Sequence, residues 1–315
     1  MADLKNKNDE RELGFGSKVY KNRVRFLNPD GSVNIKRTGL GGINNLDIYN
    51  WLISTSLFKL SCVIIFGFIL INVIFAGVYY SVGSEHFGGM ETNAQSESQK
   101  FIGLFFFSAQ TITTLGYGHI YPLGNAASIA AAVESLLGLL SFALATGILY
   151  GRFSRPSAHI LYSKNVLLSP YKTLTGLMFR IANEKQYELI ESEANLTMSI
   201  TSADGSRRDF VNLKLEVNRI NFMPLSWTIV HAIDAESPLY GLTLKDLDER
   251  DTEIIILIKS INDTYSQTVY SRHSYKAEDV VEQAKFKPMK QEAERNGKIK
   301  ISVTDIHKYD LISKI

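Results

Sequence analysis

The hexapeptide TTLGYG, residues 113–118, lies between two apolar segments of membrane length. Carbonyl oxygens that point the same way into a pore can replace the hydration shell of a potassium ion. Such a backbone alternates in handedness, and glycine accepts a positive φ angle at little cost. The spacing of the two glycines suits this geometry. It predicts a potassium filter formed by Thr114, Leu115, Gly116, Tyr117 and Gly118, with the ion on the backbone oxygens of the first four.

A short apolar run, residues 101–112, leads into the hexapeptide and predicts a half-helix that re-enters the membrane. We expect Gln110 and Thr113 at its end to support the filter. We also expect the Tyr117 ring to pack against this pore helix, because the backbone carbonyls face the ion. The hexapeptide alone is moderate evidence, and its position between two spans makes it specific.

Two segments, residues 60–80 and 126–150, are long enough to cross about 30 Å of hydrocarbon. The first contains no charged residue, and Glu134 is the only ionisable side chain of the second. A buried core helix is the alternative, although such helices usually stop short of this length. A long polar stretch precedes the first segment, so we do not expect a signal peptide.

The charges around these segments predict the topology. Acidic residues dominate the connecting stretch, and basic residues flank the two spans on their outer sides: Lys18, Lys21, Arg23, Arg25, Lys36, Arg37 and Lys59 before the first, and Arg152, Arg155, Lys164 and Lys172 after the second. The positive-inside rule then places both termini in the cytoplasm and the filter outside. We therefore expect a multi-pass protein of the plasma (inner) membrane. Cys62 is the only cysteine, so an intramolecular disulfide is excluded.

The chain divides into four predicted segments. Residues 1–45 form a cytoplasmic N-terminal segment, disordered to about residue 17, in which the turn signal at 28–31 predicts a short extended piece or a hairpin. Residues 46–56 are amphipathic and predict an interfacial slide helix, with a frayed extension of the first span as the alternative. The pore domain covers residues 57–155, and a cytoplasmic domain covers residues 156–315.

The cytoplasmic part has the composition of a soluble β domain. Apolar runs separated by turn signals predict a sandwich. The predicted strands are 187–190, 196–200, 213–217 and 254–258, with turns at 204–205, 221–224 and 262–263 and helices at 242–248 and 277–285. The predicted fold class is an α+β membrane protein with two transmembrane helices, a re-entrant pore helix and filter, and a cytoplasmic immunoglobulin-like β-sandwich domain.

Several stretches resemble the inward-rectifier potassium channels, particularly their prokaryotic (KirBac-type) branch. The resembling stretches are residues 23–26 and 30–34 (the family's N-terminal strand), 47–51 (its slide helix), 113–118 (its filter), 151–156 (its cytoplasmic exit), and 231–234, 237–241 and 271–275 (its cytoplasmic domain). The resemblance implies a homotetramer around one axial pore, which a ring of carbonyls requires in any case. The paired cysteines that link the outer loop of the family's animal members are absent, which favours a bacterial source. Leu115 replaces the commoner Val or Ile, and Gln110 replaces a frequent Glu.

The second span carries a stripe of residues four apart, which share one helix face: Glu134, Gly138, Phe142, Thr146 and Tyr150. Phe142 and Tyr150 are its bulky members, and we expect four copies of each to form the pore gate, with lipid-facing or interhelix packing as the alternative. Gly138 is a candidate hinge, although a single glycine also permits close packing. Glu134 should face protein or water, either as a hydrogen-bonded partner of the pore helix or in the cavity.

Regulation is inferred mainly from the resemblance. It implies binding of anionic, phosphoinositide-like lipid near Arg152 and Arg155, with Lys164 as a third residue, whereas simple membrane anchoring is the alternative. Strong rectifiers of the family carry a carboxylate at the position of Phe142, so we expect weak block by intracellular magnesium or a polyamine. His231, His273 and His307 are interpreted as structural, and His231 is also a candidate proton sensor.

Other function classes fit less well. There is no phosphate loop, nucleophile pattern or metal-ligand cluster, so we do not expect an enzyme or any cofactor besides filter potassium, nor a nucleic-acid partner. A two-span receptor with a sandwich sensor domain leaves residues 101–118 unexplained. A poorly selective cation channel of the same architecture stays open as an alternative.

Overall fold

The computed structural model describes residues 19, 25–28, 31–36, 48–90, 96–223, 226–293, 297 and 299–312. The chain forms two compact units that divide between Arg155 and Pro156. One unit contains the long helices. The other contains the two large β-sheets together with the N-terminal segment. The predictions for residues 1–17, for Val24 and for the turn residues 29–30 lie outside the described residues.

Among its described residues, the helical unit has four α-helices, a 3-10 turn at Ser84–His86 and one very short two-stranded sheet. In chain order the elements are α1 (Ile48–Ser54), α2 (Leu57–Val82), β1 (Phe87–Gly88), α3 (Glu97–Ile112), β2 (Tyr121–Pro122) and α4 (Gly124–Phe153). Two of them, α2 and α4, are long and apolar enough to cross a membrane. At 1.5 Å per residue they span roughly 39 and 45 Å, which exceeds the hydrocarbon thickness.

Local sequence determines where these helices begin. Ser56 caps α2, because its side chain accepts a hydrogen bond from the Lys59 amide. At α3 the capping is reciprocal: the Ser96 hydroxyl accepts from the Gln99 amide, and the Gln99 side chain accepts from the Ser96 amide at 2.8 Å. Each cap satisfies amides that the first helical turn leaves without partners.

Aromatic packing holds the pore helix α3 against the outer helix α2. The Tyr79 ring lies edge-on to Phe107 at 5.1 Å and to Phe87 at 5.3 Å. Phe87 and Phe107 also contact each other edge-on at 5.4 Å. All three side chains are buried. This cluster anchors the half-helix whose C-terminal end carries the hexapeptide.

The second unit is built from strands and one short helix. They are β3 (Ile160–Tyr162), β4 (Val166–Tyr171), β5 (Leu174–Asn183), β6 (Leu189–Thr201), β7 (Arg208–Leu213), β8 (Arg219–Phe222), β9 (Ser226–Ile233), α5 (Leu244–Glu249), β10 (Glu253–Asn262), β11 (Gln267–Lys276), β12 (Val280–Glu282), β13 (Ala284–Phe286), β14 (Gln291–Ala293), β15 (Ile299–Ile301) and β16 (Tyr309–Leu311).

Two five-stranded sheets dominate this unit. One has the order β11-β10-β6-β7 with β8 also on β6, and the other has the order β12-β4-β5-β3 with β9 also on β5. The pairings are antiparallel except for β12 with β4, which is parallel. A single hydrophobic core takes side chains from both sheets, for example Phe179 from β5 and Ile256 from β10. The predicted combination of a two-span membrane part and a β-sandwich part is confirmed.

The N-terminal segment packs on the sandwich. The buried Glu253 carboxylate accepts hydrogen bonds from the Phe26 amide at 2.8 Å and the Leu27 amide at 3.3 Å. Arg25 forms ion pairs of 2.7 Å with Glu278 and with Asp279. In the described part of this segment, an antiparallel bridge joins Leu27 to Val33 across the predicted turn.

Several predicted element bounds are wrong. Residues 214–217 alternate like a strand, but β7 ends at Leu213 and the chain then crosses to the other sheet, where the Glu216 amide donates to the Val230 carbonyl at 3.0 Å. The predicted strands at 187–190 and 196–200 are largely one strand, β6, and β8 covers part of the predicted turn at 221–224.

The predicted helix at 277–285 is also wrong beyond its first turn. Residues 277–279 form a 3-10 turn, after which β12 pairs with β4 and β13 pairs with β16. Long-range strand pairing overrides the weak local helix preference here.

Candidate ion-conduction site

The hexapeptide follows the C-terminal end of α3, which Thr113 caps. The φ angles of Thr114, Gly116 and Gly118 are +58°, +52° and +77°, whereas Leu115 and Tyr117 between them do not have positive φ. The backbone therefore alternates in handedness along this stretch. The positive φ at Thr114 differs from the sequence prediction, which places this conformation at glycine alone.

Hydrogen bonds from the hexapeptide back to the pore helix fix where it begins. The Gln110 carbonyl accepts from the Leu115 amide at 2.9 Å and from the Gly116 amide at 3.3 Å. The Thr113 hydroxyl donates to the Ala109 carbonyl at 2.6 Å. Gln110 thus supports the start of the hexapeptide through its backbone, and Thr113 through a local helix-end contact.

The hexapeptide is exposed along its length in the single subunit. The Tyr117 side chain is 75% exposed, so it does not pack against the pore helix of its own chain. The expected packing of this ring against a pore helix stays a prediction.

Glu134 lies behind the pore helix and is fully buried. Its carboxyl group contacts the Tyr79 hydroxyl of α2 through one oxygen and the Ser108 hydroxyl of α3 through the other. Ser108 also contacts Asn72 of α2 at 2.9 Å. Of the two sequence alternatives, the structure places Glu134 as the partner of the pore helix and not in the cavity.

Sequence reasoning missed Asn72, Ser108 and Tyr79. Asn72 carried a usable signal, because an amide within an otherwise apolar span needs a partner in the protein. Ser108 and Tyr79 carried none, since both residue types are common in such helices. Only the packing of α2, α3 and α4 reveals that the three side chains meet Glu134.

Gly138 lies one turn after Glu134 on α4 and touches the end of the pore helix. Ile112 is the last residue of α3, and a Cβ atom at position 138 would overlap its carbonyl oxygen. Close packing thus accounts for the glycine, and α4 runs through it as one helix. The hinge role stays a prediction.

Phe142 and Tyr150 lie on the part of α4 that its own chain does not cover. Their exposed fractions are 76% and 74%, in contrast to the buried Glu134 and Gly138. The predicted stripe therefore divides into an upper half packed on the pore helix and a lower half that the described residues leave largely exposed. The gate assignment stays a prediction.

The two arginines at the end of α4 differ in their surroundings. Arg152 is half-buried and donates to the carbonyls of Ile53 and Thr55, at the junction between α1 and α2. Arg155 is exposed and donates to the Asn50 side chain at 3.2 Å. Both arginines thus connect the inner helix to the predicted slide helix. Lys164 belongs to the other unit, where its amide donates to His307 Nδ1 at 3.2 Å.

The helix α1 fits an interfacial location by its apolar surface. Ile48, Tyr49 and Trp51 are each more than half exposed, whereas Ile53 is buried. Exposed aromatic and aliphatic side chains of this kind are typical of helices that lie at a lipid boundary. Of the predicted range 46–56, the first two residues lie outside the described residues.

Two histidines of the sandwich, His231 and His273, have contacts that fit the structural interpretation. His231 is buried, and its two ring nitrogens contact the Lys214 carbonyl at 2.6 Å and the Ser237 hydroxyl at 2.8 Å. Burial lowers the pKa of His231, although the hydrogen bond to the Lys214 carbonyl opposes this effect. His273 stacks on Tyr162 with ring centroids 4.6 Å apart. Burial lowers the pKa of His273 to about 4. Because burial lowers both pKa values, neither histidine is suited to sense pH changes near neutrality.

The low pKa of His273 predicts that the sandwich loses stability in acid. The unfolded chain takes up a proton at this histidine near pH 6.5, whereas the folded chain does so only near pH 4. The contribution of His273 to the free energy of unfolding is therefore complete above about pH 6.5. It falls by roughly 3 kcal/mol as the pH drops to about 4. The thermal midpoint of the β signal, measured by circular dichroism across this range, checks it. The variant His273→Phe keeps a ring on Tyr162 and should show a smaller fall, and an equal fall would contradict the assignment.

Comparison with known proteins places this arrangement in a family. Residues 160–314 match the family description "Inward rectifier potassium channel C-terminal domain", and residues 60–155 match the description "Ion channel". The chain is 34% identical over 270 residues to "Inward rectifier potassium channel Kirbac3.1" of Paramagnetospirillum magnetotacticum, covering 84% of this chain and 89% of that protein.

Animal proteins match over a shorter stretch. "Inward rectifier potassium channel 4" of Homo sapiens and that of Mesocricetus auratus are each 28% identical over 215 residues, and the match spans 64% of this chain and about half (48%) of each relative. Among solved structures, the sporulation control protein Spo0M of Bacillus subtilis overlaps with a TM-score of 0.22 at 6% identity, over 44% of this chain and 61% of that one, which supports no conclusion. The similarity to Kirbac3.1 extends over both the membrane part and the sandwich, and the chain belongs to the inward rectifier potassium channel family.

Proposed function

We propose that four copies of this chain form a potassium-selective channel of the bacterial inner membrane, with the backbone of residues 114–118 as its filter. The observation that carries the proposal is the alternation of φ at Thr114, Gly116 and Gly118, at the exposed end of a half-helix. Alternation turns successive carbonyls toward one side. One subunit supplies only one side of such a ring, so fourfold symmetry completes it.

A flux assay with two ions tests this function. The purified protein, reconstituted in liposomes, should pass potassium much faster than sodium, and a size measurement of the same sample should give a tetramer. Equal rates for the two ions would favour the poorly selective cation channel. Absence of flux in an assembled tetramer, under activating and inhibiting lipid compositions alike, would favour the receptor interpretation.

The proposed gate is the lower half of the α4 stripe, where the exposed Phe142 and Tyr150 find no partner in the described part of their own chain. Four copies of each ring around one axis would narrow the path and exclude water. An apolar constriction blocks ions by dewetting and needs no charge. Gly138 is the proposed hinge above it.

Replacement of both rings tests the gate. The variant Phe142→Ala with Tyr150→Ala should raise the resting potassium flux, because it removes the apolar barrier to water. Liposome flux at a lipid composition that closes the wild type is the measurement. Leu139→Ala, also on an exposed part of α4, is the matched control. Unchanged flux from an intact tetramer would show that both rings serve in lipid-facing or interhelix packing and not as a gate.

We further propose that anionic, phosphoinositide-like lipid modulates the channel near the end of α4, with both termini on the cytoplasmic side. Arg155 is the main candidate, because it is exposed and makes one side-chain contact of 3.2 Å to Asn50. Arg152 is engaged with two backbone carbonyls, so it would act chiefly by joining α4 to the α1–α2 junction. Lys164 is a third candidate.

The lipid proposal predicts different effects of the two arginines. Arg155→Gln should weaken the response to anionic lipid about fivefold, since a basic residue near the membrane surface contributes about 1 kcal/mol, and added salt should reduce the response. Arg152→Gln should instead lower the thermal stability of the tetramer. Dose-response curves in liposomes, with Lys164→Gln as a third arm and Lys245→Gln as a charge-matched control, separate these effects. Identical curves for Arg155→Gln and wild type would refute the lipid site.

A further inference from the structure

Four polar side chains meet inside the helical unit, behind the pore helix. Asn72 and Tyr79 come from α2, Ser108 from α3 and Glu134 from α4, and all four are inaccessible to solvent even in the single subunit. Three contacts join them: Tyr79 hydroxyl to Glu134 Oε2, Ser108 hydroxyl to Glu134 Oε1, and Ser108 hydroxyl to Asn72 Oδ1 at 2.9 Å. The hydrogens available for these contacts can be counted.

The orientation of the Asn72 amide is determined by its other contact. Asn72 Nδ2 donates to the Phe68 carbonyl oxygen at 2.7 Å. A carbonyl oxygen only accepts hydrogen bonds, so the amide nitrogen must be the atom that faces it. The atom that faces Ser108 is therefore the acceptor Oδ1, and the Ser108 hydroxyl must donate to it.

The three contacts require three hydrogens. The Tyr79 and Ser108 hydroxyls supply one each, and an ionised carboxylate supplies none. With Glu134 ionised, Ser108 would face two acceptors with a single hydrogen. A protonated Glu134 completes the set: it donates to the Ser108 oxygen, Ser108 donates to Asn72, and Tyr79 donates to the second carboxyl oxygen.

The charges of the surrounding helices agree with a neutral Glu134. The helices α2, α3 and α4 contain three basic residues, Lys59, Lys100 and Arg152. Lys100 pairs with Glu97 at 2.9 Å, and Arg152 bonds the Ile53 and Thr55 carbonyls. Lys59 lies in the first turn of α2, roughly 30 Å along the helix from Tyr79. An ionised Glu134 would be a buried charge without a counter-ion in these helices, which is strongly unfavourable.

We propose that Glu134 is a protonated carboxylic acid that positions the pore helix by donating to Ser108, and that Asn72, Ser108 and Tyr79 complete this support. Ser108 lies one turn before Ile112, and Glu134 lies one turn before Gly138, whose lack of a side chain admits the Ile112 carbonyl. The inner helix α4 therefore holds α3 at two successive turns, directly before the hexapeptide. The role is that of a positioning group, since Glu134 does not reach the conduction path.

Infrared spectroscopy of the reconstituted full-length protein tests the protonation. At neutral pH the wild type should show the carbonyl stretching band of a buried carboxylic acid, shifted in heavy water, and Glu134→Gln should lack it. Ser108→Ala should keep the band at a higher frequency, because the acid loses its acceptor. Spectra of wild type and Glu134→Gln that match in this region would overturn the proposal. If Glu134→Gln does not assemble, an unshifted band in Ser108→Ala would do the same.

A flux measurement tests the positioning role, and this arm alone rests on the proposed conduction of potassium. Glu134→Ala should lower the potassium-over-sodium flux ratio about tenfold or more, because it removes the hydrogen-bond partner of the buried Tyr79 and Ser108 hydroxyls. Glu134→Gln, whose amide can donate to Ser108 and accept from Tyr79, should restore most of that ratio. Equal ratios for the alanine and glutamine variants would show that the donor to Ser108 does not position the filter. Absence of potassium flux in the wild type would count against the proposed function and leave the infrared result unaffected.

Discussion

Gly116→Ala and Gly118→Ala are each expected to abolish selective potassium flux while leaving membrane insertion intact. Gly116 and Gly118 have φ angles of +52° and +77°. An alanine in this region costs roughly 1–2 kcal/mol per residue, hence about 4–8 kcal/mol for a tetramer. The cheapest relief is a flipped backbone, which would turn a carbonyl out of the ring. The ratio of potassium to sodium flux in liposomes should therefore fall to near unity or the flux should cease.

Gly67→Ala is the matched control for this prediction. Gly67 lies within α2, and a Cβ atom built on it meets nothing within 4 Å, so the same added methyl group should leave selectivity unchanged. The assignment of the filter would be wrong if the Gly116 and Gly118 variants, shown to be tetrameric, kept the wild-type flux ratio.

Phe142→Asp is expected to convert a weakly blocked channel into one that intracellular spermine or magnesium blocks strongly. The Phe142 side chain is 76% exposed in the subunit and carries no charge. A ring of four carboxylates inside low-dielectric walls would concentrate a polyvalent cation, because such walls focus the electric field. We expect the spermine concentration for half-block to fall about tenfold or more, equivalent to at least about 1.4 kcal/mol.

Bilayer recordings with spermine on the cytoplasmic side measure this effect, and Phe142→Asn separates charge from the loss of the ring. Steep voltage-dependent block of the unmodified channel would contradict the prediction, since Phe142 supplies no charge. Glu134, the other candidate for attracting spermine, would not explain such block either, because its carboxyl group is buried against Tyr79 and Ser108.

Prediction from the sequence worked best where the signal was local and long. The two spans follow from their apolar composition, and α2 and α4 extend the predicted ranges 60–80 and 126–150 by two or three residues at each end. The sandwich was predicted as a class, but its strand bounds were wrong where pairing partners are distant in sequence. Residues 277–285 show this, because their strands form only when β4 and β16 are available to pair.

By itself, the sequence determined the membrane spans, the hexapeptide with its two glycines and the soluble β domain, because each depends on composition or on the backbone freedom of single residues. Only the tertiary structure decided that Glu134 meets Tyr79, Ser108 and Asn72, that Gly138 admits the Ile112 carbonyl, and that Arg152 and Arg155 have different partners. These contacts join residues from separate helices, and their geometry depends on helix packing, which no local pattern encodes.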